Sequence, residues 1–201
     1  MAKLFYGIFT AMTAIVVFLI FYTPYLAFAG SPLANWLYNP GFSWACHQKI
    51  SRSLCLFKDS NGSYFVADCL KQTGTYMQND NRIIKATDEH GNEGYKMPVC
   101  SREIAIYGAI LLACLAYPFF RKLESDSVPE TIFLFIALLP LAFDGGLQLL
   151  SDLGIGIFGP YESTNYIRIV TGTIAGFALP FYIFPLWNYY RSPKTHKPKK
   201  D

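Results

Sequence analysis

Four long apolar segments constrain this chain more than any other feature of its sequence. They run from about residue 4 to 29, 104 to 120, 131 to 150 and 166 to 189. Each is close to the roughly 20 residues that an α-helix needs to cross the hydrocarbon core of a bilayer. The composition agrees, because 52% of the residues are hydrophobic and only 15% are charged. The sequence therefore predicts an all-α integral membrane protein, with four transmembrane helices in one membrane domain, 1–201.

The first apolar segment has a second interpretation. Lys3, the apolar run that follows it and Ala27-Phe28-Ala29 resemble a secretory signal peptide with its cleavage site. The apolar run is longer than the roughly 7–15 residues of a usual signal-peptide core. We therefore favour an uncleaved helix.

Basic residues next to the predicted helices are concentrated on one side. Lys3 precedes the first segment, Arg121 and Lys122 follow the second, and a basic tail, 190–201, follows the fourth. The loop 151–165 contains no lysine or arginine. Because cytoplasmic loops carry the excess of basic residues, we predict a multi-pass protein of the cell membrane with both termini in the cytoplasm. The net charge of +3 is too small to indicate a nucleic-acid partner.

The segment 30–102 is predicted to be a small extracytoplasmic β-hairpin insertion. Leu54 to Cys69 has apolar and aromatic arms around a turn-forming Asp-Ser-Asn-Gly, which is a hairpin signal. The stretch 82–99 has a similar pattern and predicts a second hairpin. Cys55 and Cys69 lie symmetrically about the first turn, so we expect them to form a cross-strand disulfide in an oxidising compartment.

Polar side chains near the predicted helices gather at one end, the extracytoplasmic mouth. Asp144 and Gln148 are four residues apart and share a face of the third helix. An ionisable group inside a membrane helix is costly to bury, so it is a functional-site hypothesis by default. The residues predicted to reach the mouth are His47, Gln48, Arg52, Arg102, Glu103, Asp144, Gln148, Glu162, Asn165 and Arg168.

The fourth helix carries Gly172 and Gly176 on the same stripe as Asn165 and Arg168. Two glycines at this spacing let a neighbouring helix approach closely. We predict that this face packs inward, with a homo-oligomer through the Gly172/Gly176 face as a further hypothesis.

The polar residues occur in motifs that resemble a known family. In chain order these are Cys46-His47-Gln48, Arg52-Ser53, Pro98-Val99-Cys100-Ser101-Arg102, Ile106-Tyr107-Gly108, Asp144-Gly145 with Gln148, and Glu162-Ser163 with Asn165, Arg168 and Thr171-Gly172. In this pattern the chain is similar to the domain-of-unknown-function 2085 family of small prokaryotic membrane proteins. The resemblance implies a multi-pass membrane protein and no particular activity. Where the family pattern often has a second cysteine, this chain has Glu103.

The adjacent pair Cys46-His47 leaves several interpretations open. A zinc site would combine Cys46 and His47 with Cys100 and Glu103, since carboxylate is an acceptable zinc ligand. Adjacent residues rarely both reach one tetrahedral ion, however. A Cys46–Cys100 disulfide would instead tie the insertion to the second helix and leave His47 facing the mouth. We favour the disulfide, with zinc second and a free catalytic thiol last.

The first function hypothesis is a protein that binds or processes an anionic, phosphate-bearing membrane lipid, because arginine forks bind phosphate bidentately. The predicted ligand-binding residues are Gln48, Arg52, Arg102, Gln148, Asn165 and Arg168, and the predicted catalytic residues are His47, Asp144 and Glu162. The sequence contains no known phosphatase, protease or acyltransferase motif. It therefore leaves an enzymatic activity open.

Two alternatives use the same residues differently. In the structural alternative the charges only pair with each other, Asp144 with Arg168 and Glu162 with Arg102, and fix the register of the helices. In the other, the chain is a small proton- or cation-coupled transporter subunit in which Asp144 carries the ion.

Overall fold

The computed structural model is mostly helical. It describes residues 1–44, 49–69, 75–78, 83–155 and 159–191. Within them, four helices are long and apolar enough to cross a membrane, at Ala2–Phe28, Ser101–Phe120, Thr131–Asp152 and Asn165–Arg191. The four predicted segments are confirmed as helices, with bounds close to the predicted ones.

The helices are α1 (Ala2–Phe28), the short α2 (Pro32–Trp36), α3 (Ser101–Phe120), α4 (Thr131–Asp152), α5 (Asn165–Ala178) and α6 (Pro180–Arg191). A π-turn at Leu37–Gly41 follows α2, and a 3-10 turn at Ile50–Arg52 precedes the sheet. Pro180 lacks the N–H that would continue the hydrogen-bond ladder of α5, so the last span is divided there. Thr164 caps α5, because its hydroxyl accepts the N–H of Ile167 at 3.3 Å.

A five-stranded antiparallel sheet lies between α2 and α3 in the chain. Its strands are β1 (Leu54–Lys58), β2 (Tyr64–Asp68), β3 (Thr75–Gln78), β4 (Ile84–Thr87) and β5 (Glu93–Lys96), in the order β2-β1-β5-β4-β3. The pairs β1/β2 and β4/β5 confirm the two predicted hairpins. Pairing of β1 with β5 joins them into one sheet, which the sequence did not predict. Gly94 permits this pairing, because a Cβ there would collide with the ring of Phe57 opposite it.

The predicted disulfide between Cys55 and Cys69 is present. The two Cα atoms lie 5.0 Å apart, and both side chains are fully buried beside Phe57 and Ala86. It links β1 to the residue that directly follows β2. The disulfide therefore ties together the two strands of the first hairpin.

Helices α3 and α5 form the closest contact of the bundle. A Cβ built on Gly172 would lie 2.7 Å from the carbonyl oxygen of Arg102, and one on Gly176 would lie 2.5 Å from that of Ile106. The prediction that the glycine stripe packs inward is confirmed. Helix α3 of the same chain lies against Gly172 and Gly176, and a homo-oligomer through the Gly172/Gly176 face stays a prediction.

The end of the bundle far from the sheet is held by aromatic rings, and we call it the aromatic end. It consists of Phe5, Tyr6, Phe9, Tyr117, Phe184 and Trp187. The ring of Phe184 meets the rings of Phe5, Tyr6, Phe9 and Tyr117 edge-on. This packing joins α1, α3 and α6.

The sheet rests against the end of α1. The ring centroids of Tyr25 and Phe28 lie 4.9 and 5.4 Å from that of Tyr64 on β2. The ring of Phe28 also contacts Tyr95 on β5, at 4.8 Å between centroids. These contacts place the sheet at one end of the bundle, close to the polar residues.

Candidate functional site

The candidate site lies at the end of the bundle that faces the sheet, which we call the polar end. Five pieces of the chain meet there: the turn Ile50–Arg52, the start of α3, the last turns of α4, the loop 159–164 and the start of α5. Their approach follows from the close α3–α5 contact, which brings the first turns of these two helices side by side. The site is therefore built by chain segments far apart in sequence.

Asp144 is the centre of a buried polar group at this end. It lies two turns before the end of α4 and is 4% exposed. One carboxylate oxygen accepts a short hydrogen bond from the Arg102 guanidinium, and the other accepts the Tyr161 hydroxyl at 2.7 Å. These bonds join α4, α3 and the loop before α5.

Arg168 lies one turn into α5 and is 2% exposed. Its guanidinium donates a short hydrogen bond to the side-chain oxygen of Gln148 and another, at 3.1 Å, to the Ser163 carbonyl. No carboxylate forms an ion pair with Arg168 within the described part of the chain. The described hydrogen-bond partners of this buried cation are therefore neutral, and Asp144 and Glu162 act on it only from a longer distance.

Two side-chain nitrogen atoms at this end have no hydrogen-bond partner among the described residues. They are Arg102 Nε and Gln148 Nε2, both fully inaccessible to water. Leaving a buried donor unsatisfied costs roughly 1–3 kcal/mol, and more for a charged group. Tyr117 Oη and Trp187 Nε1 at the aromatic end have no partner among the described residues either, so it is the position beside two guanidinium groups that makes these donors candidates for contact with an anion.

Asn165 connects the sheet to the helices. Its side-chain nitrogen donates to Asp68 Oδ2 at 2.9 Å and to the Ser53 carbonyl at 3.3 Å, and its oxygen accepts the Ser101 hydroxyl at 2.5 Å. Its described contacts are thus to protein groups. A ligand-binding role for Asn165 stays a prediction.

A cleft of about 250 Å³ opens beside this group. It is lined by Lys49, Ser51, Arg52, Ser151, Asp152, Pro160, Tyr161 and Glu162. Arg52 donates to both carboxylate oxygens of Asp152 at 2.8 Å and lies 3.5 Å from Glu162 Oε1. Lys49 lies 3.2 Å from Asp152 Oδ1. The cleft therefore holds two cations and two carboxylates, paired with each other.

Neighbouring side chains shift the pKa values of two titratable groups in the cleft wall. The hydrogen bond from Ser51, at 2.6 Å, and the nearby Arg52 hold the pKa of Glu162 below its ordinary value. Donation to the Asp144 carboxylate raises the pKa of Tyr161. Glu162 is thus anionic and Tyr161 protonated at neutral pH.

The zinc hypothesis gains no support from the described residues. No group of three or more His, Cys, Asp or Glu side chains among them is placed to hold a metal ion. The Glu103 carboxylate accepts the N–H of Cys100 at 3.2 Å and so caps α3. Cys46, His47 and Gln48 lie outside the described residues, so the Cys46–Cys100 disulfide and the roles of His47 and Gln48 stay predictions.

The predicted convergence at one end holds for the described site residues, but two predicted pairings are wrong. Asp144 pairs with Arg102 rather than Arg168, and Glu162 pairs with Arg52 rather than Arg102. The cause is depth. Arg102 projects from the second residue of α3 towards Gly145 of α4, where the missing side chain leaves room for its guanidinium.

Sequence reasoning missed several residues of the site. These are Lys49, Ser51, Asp68 and Tyr161, while Ser101 and Ser163 were named only as parts of motifs. Tyr161 is the most consequential, since it separates the cleft from Asp144. Its position beside Glu162, in a loop without basic residues, was the signal that could have found it.

Comparison with known proteins agrees with these motifs. The family model described as "Predicted membrane protein (DUF2085)" matches residues 92–182. An uncharacterized protein of Methanocaldococcus jannaschii is 31% identical over 186 residues, which cover 88% of this chain and 91% of that protein. No solved structure gives a significant match. The chain belongs to the DUF2085 family of predicted membrane proteins.

Proposed function

We propose that this protein binds the phosphate-bearing headgroup of an anionic lipid at the polar end of its helix bundle. The observation that carries the proposal is Arg168. It is 2% exposed, and its partners among the described residues are a neutral amide oxygen and a backbone carbonyl. A buried guanidinium that makes no direct ion pair with a carboxylate is costly, and a bound anion would lower that cost.

The groups around Arg168 suit such a ligand. Gln148 Nε2 and Arg102 Nε are buried donors without partners in the part of the chain that the structure describes, and arginine binds phosphate through two parallel N–H bonds. Asp144 and Tyr161 hold Arg102 in place. In this proposal Arg168, Gln148 and Arg102 contact the ligand, while Asp144 orients one of them.

Access is proposed through the cleft. Glu162 lines the cleft, and the next residue, Ser163, gives its carbonyl to Arg168, so the buried guanidinium lies directly behind the cleft wall. Arg168 lies one turn inside a candidate membrane span of 27 residues. Because about 20 residues are enough to cross the hydrocarbon core, the first turn of such a span corresponds to the headgroup region.

Binding is favoured over catalysis by the state of the carboxylates. Asp144 and Glu162, two of the predicted catalytic residues, each form an ion pair with an arginine. A carboxylate held in this way is a weak proton acceptor. Their predicted catalytic role is not needed for this proposal.

The test is the lipid content of purified protein. Arg168→Gln removes the buried charge and keeps hydrogen-bonding atoms, while Arg191→Gln, an exposed position at the opposite end, is the matched control. We expect anionic phospholipid to co-purify with the wild type and the control at equal levels and to fall at least tenfold in Arg168→Gln. Equal lipid content in a folded Arg168→Gln protein would refute the proposal.

A structural role is the second candidate. The bonds among Arg102, Asp144 and Tyr161 join three chain segments and would fix the register of α3 and α4 without any ligand. That candidate predicts that Arg168→Gln changes the thermal stability and leaves the lipid content unchanged. The transporter hypothesis has less support, since Arg102 and Tyr161 already contact both oxygens of Asp144.

A further inference from the structure

We infer that the sheet rests on the surface of the lipid bilayer through a group of exposed apolar and aromatic side chains, which we call the interfacial patch. The patch consists of Tyr22 and Tyr25 on α1, Leu33 and Trp36 on α2, and Tyr64 and Val66 on β2, each between 40% and 59% exposed. The inference rests on the candidate spans crossing a membrane, and it applies whichever side of the membrane the sheet occupies. It does not depend on the proposed anion site.

Strand β2 lies across the end of the helix bundle. The ring of its first residue, Tyr64, contacts the rings of Tyr25 and Phe28 at the end of α1. The carboxylate of its last residue, Asp68, accepts from Asn165 at the start of α5, at 2.9 Å. Tyr64 and Asp68 are roughly 13 Å apart along a strand. Because β2 reaches from the end of one candidate span to the start of another, it runs along the membrane surface rather than away from it.

One face of β2 is turned towards the helices. Successive side chains of a strand point to opposite faces, so Tyr64, Val66 and Asp68 share a face. Tyr64 and Asp68 both contact helix ends, and this face is therefore the helix side of the sheet. Val66 lies between them and is exposed. Because the membrane surface lies on the helix side of the sheet, the Val66 side chain faces the bilayer.

The short helix α2 extends the patch next to α1. It begins at Pro32, directly after the turn that ends α1, and Ala34 lies in the same buried cluster as Ala27 of α1. Leu33 and Trp36 are three residues apart and share an exposed face of α2. Exposed leucine and tryptophan side chains directly after a membrane span are typical of a segment at the membrane–water interface.

The length of α1 places its last turns at the same depth. Its 27 residues measure about 40 Å at 1.5 Å per residue, whereas the hydrocarbon core is about 30 Å thick. The last turns, which carry Tyr22 and Tyr25, therefore reach the headgroup region. Tyrosine and tryptophan favour this region because one end of each side chain is apolar and the other polar. Four of the six patch residues are of these two types, which agrees with the depth.

A bilayer accounts for the patch without a further protein partner. The patch continues from the outer side of α1, where the exposed rings of Phe18 and Tyr22 stack at 5.1 Å between centroids. Single exposed apolar residues are ordinary on a protein surface, whereas a contiguous group of them indicates an interaction site. The lipid that surrounds α1 lies directly beside α2 and β2 and would cover the patch.

The experiment measures the depth of single tryptophan side chains in vesicles. In a background of Trp36→Phe, Trp44→Phe and Trp187→Phe, the tryptophan is introduced by Val66→Trp or, as the matched control, by Phe65→Trp. Phe65 is also exposed and points to the opposite face of the same strand. The full-length proteins are reconstituted in phosphatidylcholine vesicles with or without acyl chains brominated near the headgroup, and quenching is compared with that by iodide present on both sides.

We expect brominated lipid to quench Val66→Trp at least twofold more than Phe65→Trp, and iodide to quench the two variants in the reverse order. Equal quenching of the two variants by brominated lipid would overturn the inference. Weak quenching of Val66→Trp by both agents would indicate that protein covers this face, and would overturn it as well.

Native Trp36 gives a second reading without any change to the sheet. The chain has three tryptophans, so Trp44→Phe/Trp187→Phe leaves Trp36 alone. We expect brominated lipid to lower its fluorescence at least twofold. Quenching by iodide and not by brominated lipid would contradict the inference even if Val66→Trp does not fold. These variants leave Arg168 and its partners unchanged, so the lipid content of Arg168→Gln tests the proposed function separately.

Discussion

The two ends of the helix bundle are held together by different interactions. At the polar end, Arg102, Asp144, Gln148 and Arg168 join α3, α4 and α5 through ion pairs and charge-assisted hydrogen bonds. At the aromatic end, edge-on ring contacts around Phe184 join α1, α3 and α6. The same long helix, α3, takes part in both.

This difference shows which end is suited to respond to a ligand. The ring contacts of the aromatic end involve no charge, although Tyr117 Oη and Trp187 Nε1 there are buried without a hydrogen-bond partner among the described residues. At the polar end the unpartnered donors lie beside buried guanidinium groups, and a buried charge is costlier to leave unsatisfied than a neutral group. Buried charge, rather than unpartnered donors alone, therefore makes the polar end the better candidate for binding an anion.

The largest effect is expected from Asp144→Ala. It leaves the Arg102 guanidinium without its counter-ion, and breaking a buried ion pair from one side costs about 3–5 kcal/mol. The free energy of unfolding of each variant is measured by unfolding in mixed detergent. Asp126→Ala, at an exposed position in the loop before α4, is the control and should change it by less than about 0.5 kcal/mol.

Replacing Arg102 together with Asp144 should recover much of the unfolding free energy that Asp144→Ala loses. In Arg102→Leu/Asp144→Leu the two buried charges disappear together, and such replacements are often neutral or stabilising. If Asp144→Ala were as stable as Asp126→Ala, the polar end would not depend on this ion pair and the comparison of the two ends would fail.

The second prediction concerns the aromatic end. Phe184→Ala removes a ring that is 2% exposed, and we expect a loss of about 3 kcal/mol. The loss should be the same at low and high salt, because no charge is involved. The lipid content should match the wild type, since the polar end is untouched.

The control for this substitution is Phe119→Ala, because Phe119 is 88% exposed near the end of α3. It should leave stability nearly unchanged. A loss of anionic lipid in Phe184→Ala, with the protein still folded, would show that the two ends are coupled rather than independent.

The fold was largely predictable from the lengths of the apolar segments in the sequence. Each helix that can cross a membrane coincides with an apolar segment, since burial of about 20 consecutive apolar residues has few other solutions. The hairpin turns and the Cys55–Cys69 disulfide were readable because they depend on neighbouring residues. The pairing of β1 with β5 was not, because it joins segments separated by a whole hairpin.

The location of the site was predictable from the sequence, but the ion-pair and hydrogen-bond partners within it were not. The sequence indicates that Asp144, Arg102 and Arg168 lie at one end, since each occupies the corresponding turn of its helix. Which arginine reaches the carboxylate depends on side-chain space, and here Gly145 admits Arg102. Tyr161 was missed because its contact with Asp144 depends on the course of an irregular loop.

The third prediction tests the scaffold that both ends share. A Cβ on Gly176 would lie 2.5 Å from the Ile106 carbonyl oxygen, so Gly176→Ala must push α5 away from α3. Overpacking of this kind costs about 1–3 kcal/mol. Gly146→Ala on α4 is the matched control, because a Cβ there meets nothing within 4 Å. Equal unfolding free energies for the two variants would contradict the close α3–α5 contact.

The smallest effect is expected from Glu162→Gln. The folded pKa of Glu162 is lowered by Ser51 and Arg52, so its pairing stabilises the protein above the ordinary value of 4.5 and the contribution is lost as the pH falls through the lowered value. Glu162 is half exposed, with 52% of its side chain accessible, and solvent screening limits such a pair to less than about 1 kcal/mol. The difference in melting temperature between the wild type and Glu162→Gln should be positive at pH 7 and vanish below the lowered pKa. The exposed Glu89, in the turn between β4 and β5, is the control, and Glu89→Gln should leave the melting temperature at pH 7 nearly unchanged. A difference that persisted in acid would mean that Glu162 stabilises the cleft through packing rather than charge, and the polar end would then resemble the aromatic end more closely than its ion pairs suggest.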